Sequence, residues 1–319
     1  MSDDKLSEAF QAVAANASDD EIITALVRTR LTGPDRKTLD WVRGLLSGEH
    51  LATRRSDILR RITERYGRGG AFRGNLKSAI AEAQDRVAAA APEARRLWLA
   101  DSVAVSGTRA ELIDLAGHEQ VARVYANPVY RVPEVLQTPL EDSPETVDGS
   151  TWGVARIGAP EVWGGLGRGG GVLVGHLDTG VDDTHPALAG KVTAFQEFDA
   201  LGSPVVSAPH DSDAHGTHTA GTIAGRTVRG MNIGVAPDAR LASALVLPGG
   251  SGSFAQIVAG LQWVIDQGAH VVSMSLSAPG HSAIWNLPMF NTVMSGVVVV
   301  ASIGDNGQGI SGGPGNDLM

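Results

Sequence analysis

Three short apolar runs rich in β-branched residues constrain the fold of this chain more than any other feature: VLVGHL from Val172, VVSMSL from Val271 and GVVVVAS from Gly296. Each has the length of a strand and little of the polar alternation that a solvent-facing sheet would show, so each reads as a strand buried on both faces. Stretches with helical character lie between them, GTHTAGTIAG from Gly216 and FAQIVAGLQWVIDQG from Phe254. Strand and helix in alternation predict an α/β fold, a parallel sheet with helices on both faces.

The rest of the chain has a different texture. Residues 1–95 read as helices joined by short turns, because apolar residues recur at spacings of three and four. Ser18 and Glu21 form a capping-box pattern ahead of EIITALVRTRL, which predicts a helix stopped by Gly33-Pro34; TLDWVRGLL predicts another, with Gly48 as its stop. A longer helix is expected from Asn75 to about Pro92. Residues 96–132 then change period: LWLADSVAVSG alternates like a strand, TRAELIDLAGH reads as a helix and VARVYAN as a second strand, a small α+β unit. Residues 133–150 are rich in Pro, Asp, Glu, Ser and Thr without periodicity, which is linker composition, and place a boundary before the α/β region at 151–319.

Composition excludes several classes of function. At 319 residues there is room for two domains with a buried core. The net charge of −9 disfavours a nucleic-acid partner, since Lys and Arg must neutralise phosphates. No run approaches the ~20 continuous apolar residues of a membrane span, so no membrane partner is expected. There are no cysteines, hence no disulfide, thiolate metal site or cysteine nucleophile. The N-terminus MSDDKLSEAF lacks the basic start and apolar run of an export signal; cytoplasmic is the default localisation, secreted if an upstream signal is missing.

Chemistry concentrates in two motifs. Asp178 closes the run GVLVGHL and begins the turn DTG, the end of a parallel strand where ligand-binding residues sit, although an Asx turn before Gly180 needs the same residues. His215 heads HGTHTAGTIAG, whose small residues let a helix pack tightly with the imidazole at its N-terminal end. An aspartate that orients an imidazole, which in turn takes a hydroxyl proton, is the requirement of nucleophilic acyl transfer.

HLDTGVDDTHPAL followed by HGTHTAGT resembles the aspartate and histidine motifs of the subtilisin-like serine proteases, and WGVARIGAPEVW is similar to the start of their catalytic domain. The resemblance runs from Trp152 to Met319 and implies a subtilisin-like parallel sheet with flanking helices, Asp178 as orienting acid and His215 as general base. It also implies that a polypeptide substrate lies extended between two segments, here Gly250-Ser251-Gly252 and Met274-Ser275-Leu276. The family usually follows the second segment with two glycines; Ser277 and Ala278 stand there. Direct alignment puts Asp305 where the family's oxyanion asparagine donates an amide N–H, a contact worth about 3–4 kcal/mol in the barrier. An ionised carboxylate cannot donate, and a one-residue shift would place Asn306 there instead.

The family's nucleophile lies in a Gly-Thr-Ser motif well beyond the oxyanion turn, and fourteen residues follow Asp305 without it. The expectation is therefore a C-terminally incomplete peptidase domain, a serine endopeptidase by family whose 319 residues alone are inactive. The alternative is a non-catalytic peptide-binding or regulatory pseudoprotease. The 96–132 unit resembles the inhibitory chaperone prodomain of such proteases, with VYRVPEVLQ expected in the active-site cleft as a product-like strand. No cofactor is expected. The family often binds structural calcium, but its usual aspartate position is Ala187 here, and the cluster His210, Asp211, Asp213, His215 and His218 lacks the spacing of HExxH. GGLGRGGG precedes a strand rather than following one, which argues against a dinucleotide loop.

Overall fold

The computed structural model describes residues 3–31, 36–46, 60, 62–91, 93–132, 146–165, 167–276 and 283–302. The chain begins with α1 (Glu8–Asn16), capped by the Ser7 hydroxyl, which accepts from the Phe10 N–H at 3.2 Å. It continues through β1 (Ile23–Thr29), α2 (Arg36–Leu46), α3 (Gly69–Ala89), the pair β2 (Ala94–Leu97) and β3 (Ser102–Gly107), α4 (Arg109–Gly117), β4 (Val121–Ala126) and the short β5 (Val129–Arg131). Strands β2-β3-β1-β4 form one antiparallel sheet in that order.

Strand β1 corrects the expected helix over 18–33. The Ser18 N–H does donate to the Glu21 carboxylate, at 3.1 Å, but this capping pair closes a turn that feeds a strand. Its sequence lacks alternation because both faces of β1 are covered: Ala25 and Val27 enter a core with Phe10, Val87, Val105 and Leu112, while Leu26 enters a second with Leu76, Ile80 and Phe254. The single strand expected in LWLADSVAVSG is likewise a hairpin, broken at Trp98–Asp101, where Asp101 takes a left-handed φ of 47°. Because β1 and β2 lie in one sheet with β3 and β4, the expected division at 95/96 passes through that sheet. The helices expected at Thr38–Leu46, from Asn75 and at Arg109–Gly117 are present, the second starting earlier, at Gly69. Gly33, Pro34, Gly48, Pro92 and residues 133–145 of the expected linker lie outside the described residues, while 146–150 belong to a hairpin instead of a structureless link.

The second unit opens with a small hairpin, β6 (Thr146–Val147) and β7 (Ser150–Thr151), and two short helices, α5 (Trp152–Arg156) and α6 (Ala159–Trp163). It proceeds through β8 (Leu173–Asp178), β9 (Val192–Phe198), β10 (Pro204–Val205), α7 (His215–Ala224), β11 (Arg240–Leu245), β12 (Ser251–Ser253), α8 (Phe254–Asp266), β13 (Val271–Met274), α9 (Asn286–Met294) and β14 (Val298–Ala301). Its sheet has the order β10-β9-β11-β8-β13-β14, with every pair parallel except β10 with β9. Strand β8 is interior, with five of its six residues buried, which is why its sequence lacks the polar alternation of a half-exposed strand. The order of the sheet reverses beside β8, so the C-terminal ends of β8 and β13 frame a switch-point crevice.

Helix α8 is apolar on nearly every side because it is covered on two: the sheet lies on one and the first unit on the other. The Leu99 N–H donates to Gln262 Oε1 at 3.1 Å, Arg73 Nη1 donates to the Ile265 carbonyl at 2.9 Å, and Lys77 pairs with Asp266 at 3.0 Å. At its N-terminus, the Ala255 N–H donates to Asn127 Oδ1 at 3.0 Å and the Phe254 N–H to the Pro128 carbonyl at 2.8 Å. These two donors have no partner within the helix, and the first unit caps them. Among the described residues no helix is long and apolar enough to cross a membrane.

Candidate active site

Asp178 ends β8 and His215 begins α7, and the two meet: His215 Nδ1 lies 2.6 Å from Asp178 Oδ1. Two glycines make the approach possible. Gly180 has a φ of 120°, and a Cβ there would lie 2.1 Å from the His210 carbonyl oxygen; a Cβ on Gly216 would lie 2.1 Å from the Gly180 carbonyl oxygen. The start of α7 is thus pressed against the DTG turn, backbone on backbone, and only glycine leaves the room.

Hydrogen bonds lock the two motifs together. Thr179 Oγ1 accepts from the Gly216 N–H at 2.9 Å and donates to Asp211 Oδ1 at 2.7 Å. Asp211 Oδ2 accepts from the Thr217 N–H at 2.6 Å and from its hydroxyl at 2.5 Å. These contacts satisfy first-turn donors of a helix whose own N-cap, Ala214, has no side-chain acceptor and takes a left-handed φ of 62°. Asp211 therefore serves as a clamp on α7. His210, Asp213 and His218, weighed with it as metal ligands, belong to no group of three His, Asp or Glu positioned for a metal among the described residues.

The electrostatics of the pair follow from burial and contact. Burial alone would raise the Asp178 pKa, but the hydrogen bond from His215, the neighbouring imidazoles and the Thr179 N–H together hold it below the ordinary carboxylate value. His215 is held above the ordinary histidine value, first by its hydrogen bond to Asp178, against the opposing effect of burial, and then by the charges of Asp178, Asp213 and Asp211. An anionic Asp178 fixes the proton of His215 on Nδ1 and leaves Nε2 as the proton acceptor.

The substrate segments expected from sequence flank this pair. Gly250, Ser251 and Gly252 form the approach to and start of β12, which pairs antiparallel with β5 of the first unit: Ser251 opposite Arg131, Gly252 opposite Tyr130. The Val132 N–H donates to the Gly250 carbonyl at 3.0 Å. On the other side, Met274 sits beside Leu177 in the sheet; Met274 and Leu276 are buried, and Ser275 between them is partly exposed. Ser302 donates its N–H to the Met274 carbonyl and its hydroxyl to the Leu276 carbonyl, both at 3.1 Å. Ala187 is buried, with its carbonyl accepting from the Arg226 N–H at 3.0 Å. Asp305, Asn306, Ser277 and Ala278 lie outside the described residues.

Comparison with known proteins agrees with this geometry: the subtilase family model, Peptidase_S8, matches residues 169–317. Residues 169–317 form a subtilase-family region. Its relatives include the major intracellular serine protease of Bacillus subtilis (strain 168), 36% identical over 159 residues that are 49% of this chain and 50% of that protein. Subtilisin Savinase of Lederbergia lenta is 39% identical over 159 residues, 50% of this chain and 56% of its own. The chain thus spans about half the length of these subtilases. The crystal structure of fervidolysin from Fervidobacterium pennivorans, a keratinolytic enzyme related to subtilisin, superposes on 93% of this chain and 42% of its own with a TM-score of 0.54. At 19% identity that likeness establishes the subtilisin-like α/β fold.

Several participants were not singled out from the sequence. Thr179, Thr217 and Thr219 carry a common signal, hydroxyl residues within one to four positions of the motif residues, while Asp211 was weighed only as a metal ligand. His176 carries a stronger one, an imidazole inside an otherwise apolar strand two residues before Asp178.

Proposed function

We propose that this chain supplies the acid and the base of a subtilisin-type serine endopeptidase, with Asp178 orienting His215 and His215 accepting the proton of a serine hydroxyl through Nε2. The observation that carries the reading is the 2.6 Å contact between His215 Nδ1 and an Asp178 that is 1% exposed. In the reaction, loss of the serine proton to Nε2 frees the oxygen to attack a peptide carbonyl. The imidazolium that forms is stabilised by the adjacent carboxylate and then returns its proton to the leaving amine. A polypeptide substrate would lie along Gly250–Gly252 and Met274–Leu276, with main-chain hydrogen bonds giving affinity. The pairing of β5 with β12 supports a prodomain role for the first unit, its tail holding the rim that substrate would use. Asp305 or Asn306 would serve the oxyanion. No metal or cofactor enters this scheme.

The 319 residues contain no Gly-Thr-Ser segment. A polypeptide of these residues alone is expected to leave peptide substrates intact and to resist a serine-directed phosphonate. A longer product carrying Gly-Thr-Ser is expected to label stoichiometrically and to lose about 10³-fold or more in kcat with His215→Ala. Its kcat/KM should fall on acidification through a pKa above the ordinary histidine value of about 6.5, since His215 acts only when neutral and Asp178 favours its charged form. Labelling of the 319-residue polypeptide would overturn the assignment of its missing nucleophile. A longer product that binds peptide without labelling would favour the pseudoprotease.

A further inference from the structure

His176 sits in the middle of the interior strand β8 with 1% of its side chain exposed, and the reaction above makes no use of it. Parallel pairing sets it beside Ser243 of β11, whose Oγ lies 3.0 Å from His176 Nδ1. Its Nε2 lies 2.9 Å from Thr219 Oγ1, one turn into α7. That same hydroxyl lies 2.9 Å from Asp178 Oδ2, the carboxylate oxygen that His215 does not use. Strand, helix and neighbouring strand thus converge on one buried line of polar atoms ending at the acid.

The protons on this line can be assigned from chemistry. A neutral imidazole carries one N–H, and each hydroxyl donates once. With the proton on Nε2, Ser243 donates to Nδ1, Nε2–H donates to Thr219, and the Thr219 hydroxyl donates to Asp178. With the proton on Nδ1, the Thr219 hydroxyl must donate back to Nε2; Asp178 Oδ2 then loses its donor and faces a nitrogen lone pair 3.7 Å away. The other acceptor for the Thr219 proton, the Gly216 carbonyl at 3.1 Å, is uncharged. A donor aimed at a buried anion is the stronger bond, so the first arrangement wins.

We propose that His176 is a positioning residue: it donates through Nε2 to Thr219, directs the Thr219 hydroxyl onto Asp178 Oδ2, and so fixes the carboxylate that presents Oδ1 to His215. Burial favours its neutral form, outweighing the pull of Asp178 and Asp211, while the charge of His215 acts in the same direction as burial. The charged groups facing the two imidazoles are Asp178 on β8 and Asp211 and Asp213 on the segment before α7. The inference rests on the reading of Asp178 and His215 as acid and base, but its test observes protons rather than turnover.

The test is nitrogen-15 NMR of the histidine rings in the 319-residue polypeptide. His176 is expected to be neutral and protonated at Nε2 across the titration of His215. Thr219→Val removes a donor from Asp178, leaves more of its charge for the imidazolium, and should raise the His215 pKa by about 0.5–1 unit. Thr219→Ser should restore the original value, a rescue that a purely packing role for threonine would not give. A proton on Nδ1 of His176 in the unsubstituted protein would overturn the proposal without any variant having to fold. So would a folded Thr219→Val protein whose His215 pKa stays within about 0.2 unit, or a serine variant that fails to restore it. Failure of the endopeptidase reading would appear in phosphonate labelling and leave these nitrogen shifts unchanged.

Discussion

Gly216 joins the placement of His215 to stability at a single atom. A methyl group there would meet the Gly180 carbonyl oxygen at 2.1 Å, and backbone cannot retreat as a side chain can. Gly216→Ala should therefore push the start of α7 away from the DTG turn, at a cost of about 1–3 kcal/mol or more, as overpacking of close-packed sites does. The lengthened contact between His215 and Asp178 should also return the His215 pKa towards the ordinary histidine value. Urea unfolding and a histidine titration check the two effects; a shift in stability with no change at His215 would separate the glycine from the dyad. At this scale the meeting of Asp178 and His215 was legible in the sequence, because each stands in a motif whose small residues allow close backbone approach. His176 was not: in a run of apolar residues one imidazole is indistinguishable from a satisfied core histidine until Ser243 and Thr219, distant in sequence, are brought beside it.

Elements were legible where burial is simple. The α/β alternation of the C-terminal half follows from apolar runs separated by helices, although of the three runs read as buried on both faces only β8 is so: β13 alternates, and β14 exposes Val298 and Val300. Strand β1 was read as a helix because ITALVRT is also buried on both faces, which removes the alternation that marks a half-exposed strand, and its apolar residues then suit either period. The partners that decide the matter, β3 and β4, lie far along the chain. The β5–β12 pairing is likewise non-local, and it yields a prediction about how the two units hold together. The Val132 N–H donates to the Gly250 carbonyl at 3.0 Å, and Val132→Pro deletes that donor. A lost hydrogen bond of this kind is worth about 0.5–1.5 kcal/mol, so amide exchange at Ser253 and Phe254 should quicken about 2- to 10-fold. Unchanged exchange there would mean that β12 is held by its own unit, not by β5.

At the scale of the molecule, one hydrophobic core runs from the first unit into the second. Leu76, Ile80 and Leu99 belong to the same cluster as Phe254, Leu261 and Trp285. Trp285, 1% exposed, stands edge-on to Tyr130 of β5 at 5.3 Å and to Phe254 at 4.8 Å, so three rings from three segments share one contact. The surrounding ion pairs add little by comparison: Lys77 and Asp266 are 37% and 45% exposed, and exposed pairs contribute about 0–1 kcal/mol. If apolar contact is what joins the units, neither should unfold before the other. Urea unfolding followed by amide exchange at β1 and at β11 should then give one shared midpoint. Trp285→Ala, expected to cost about 3–5 kcal/mol, should lower both midpoints together, although Trp285 belongs to only one of the units. A first unit that melts at a clearly lower urea concentration, or a Trp285→Ala protein in which β1 keeps its midpoint while β11 loses its own, would show that the shared cluster is contact without coupling.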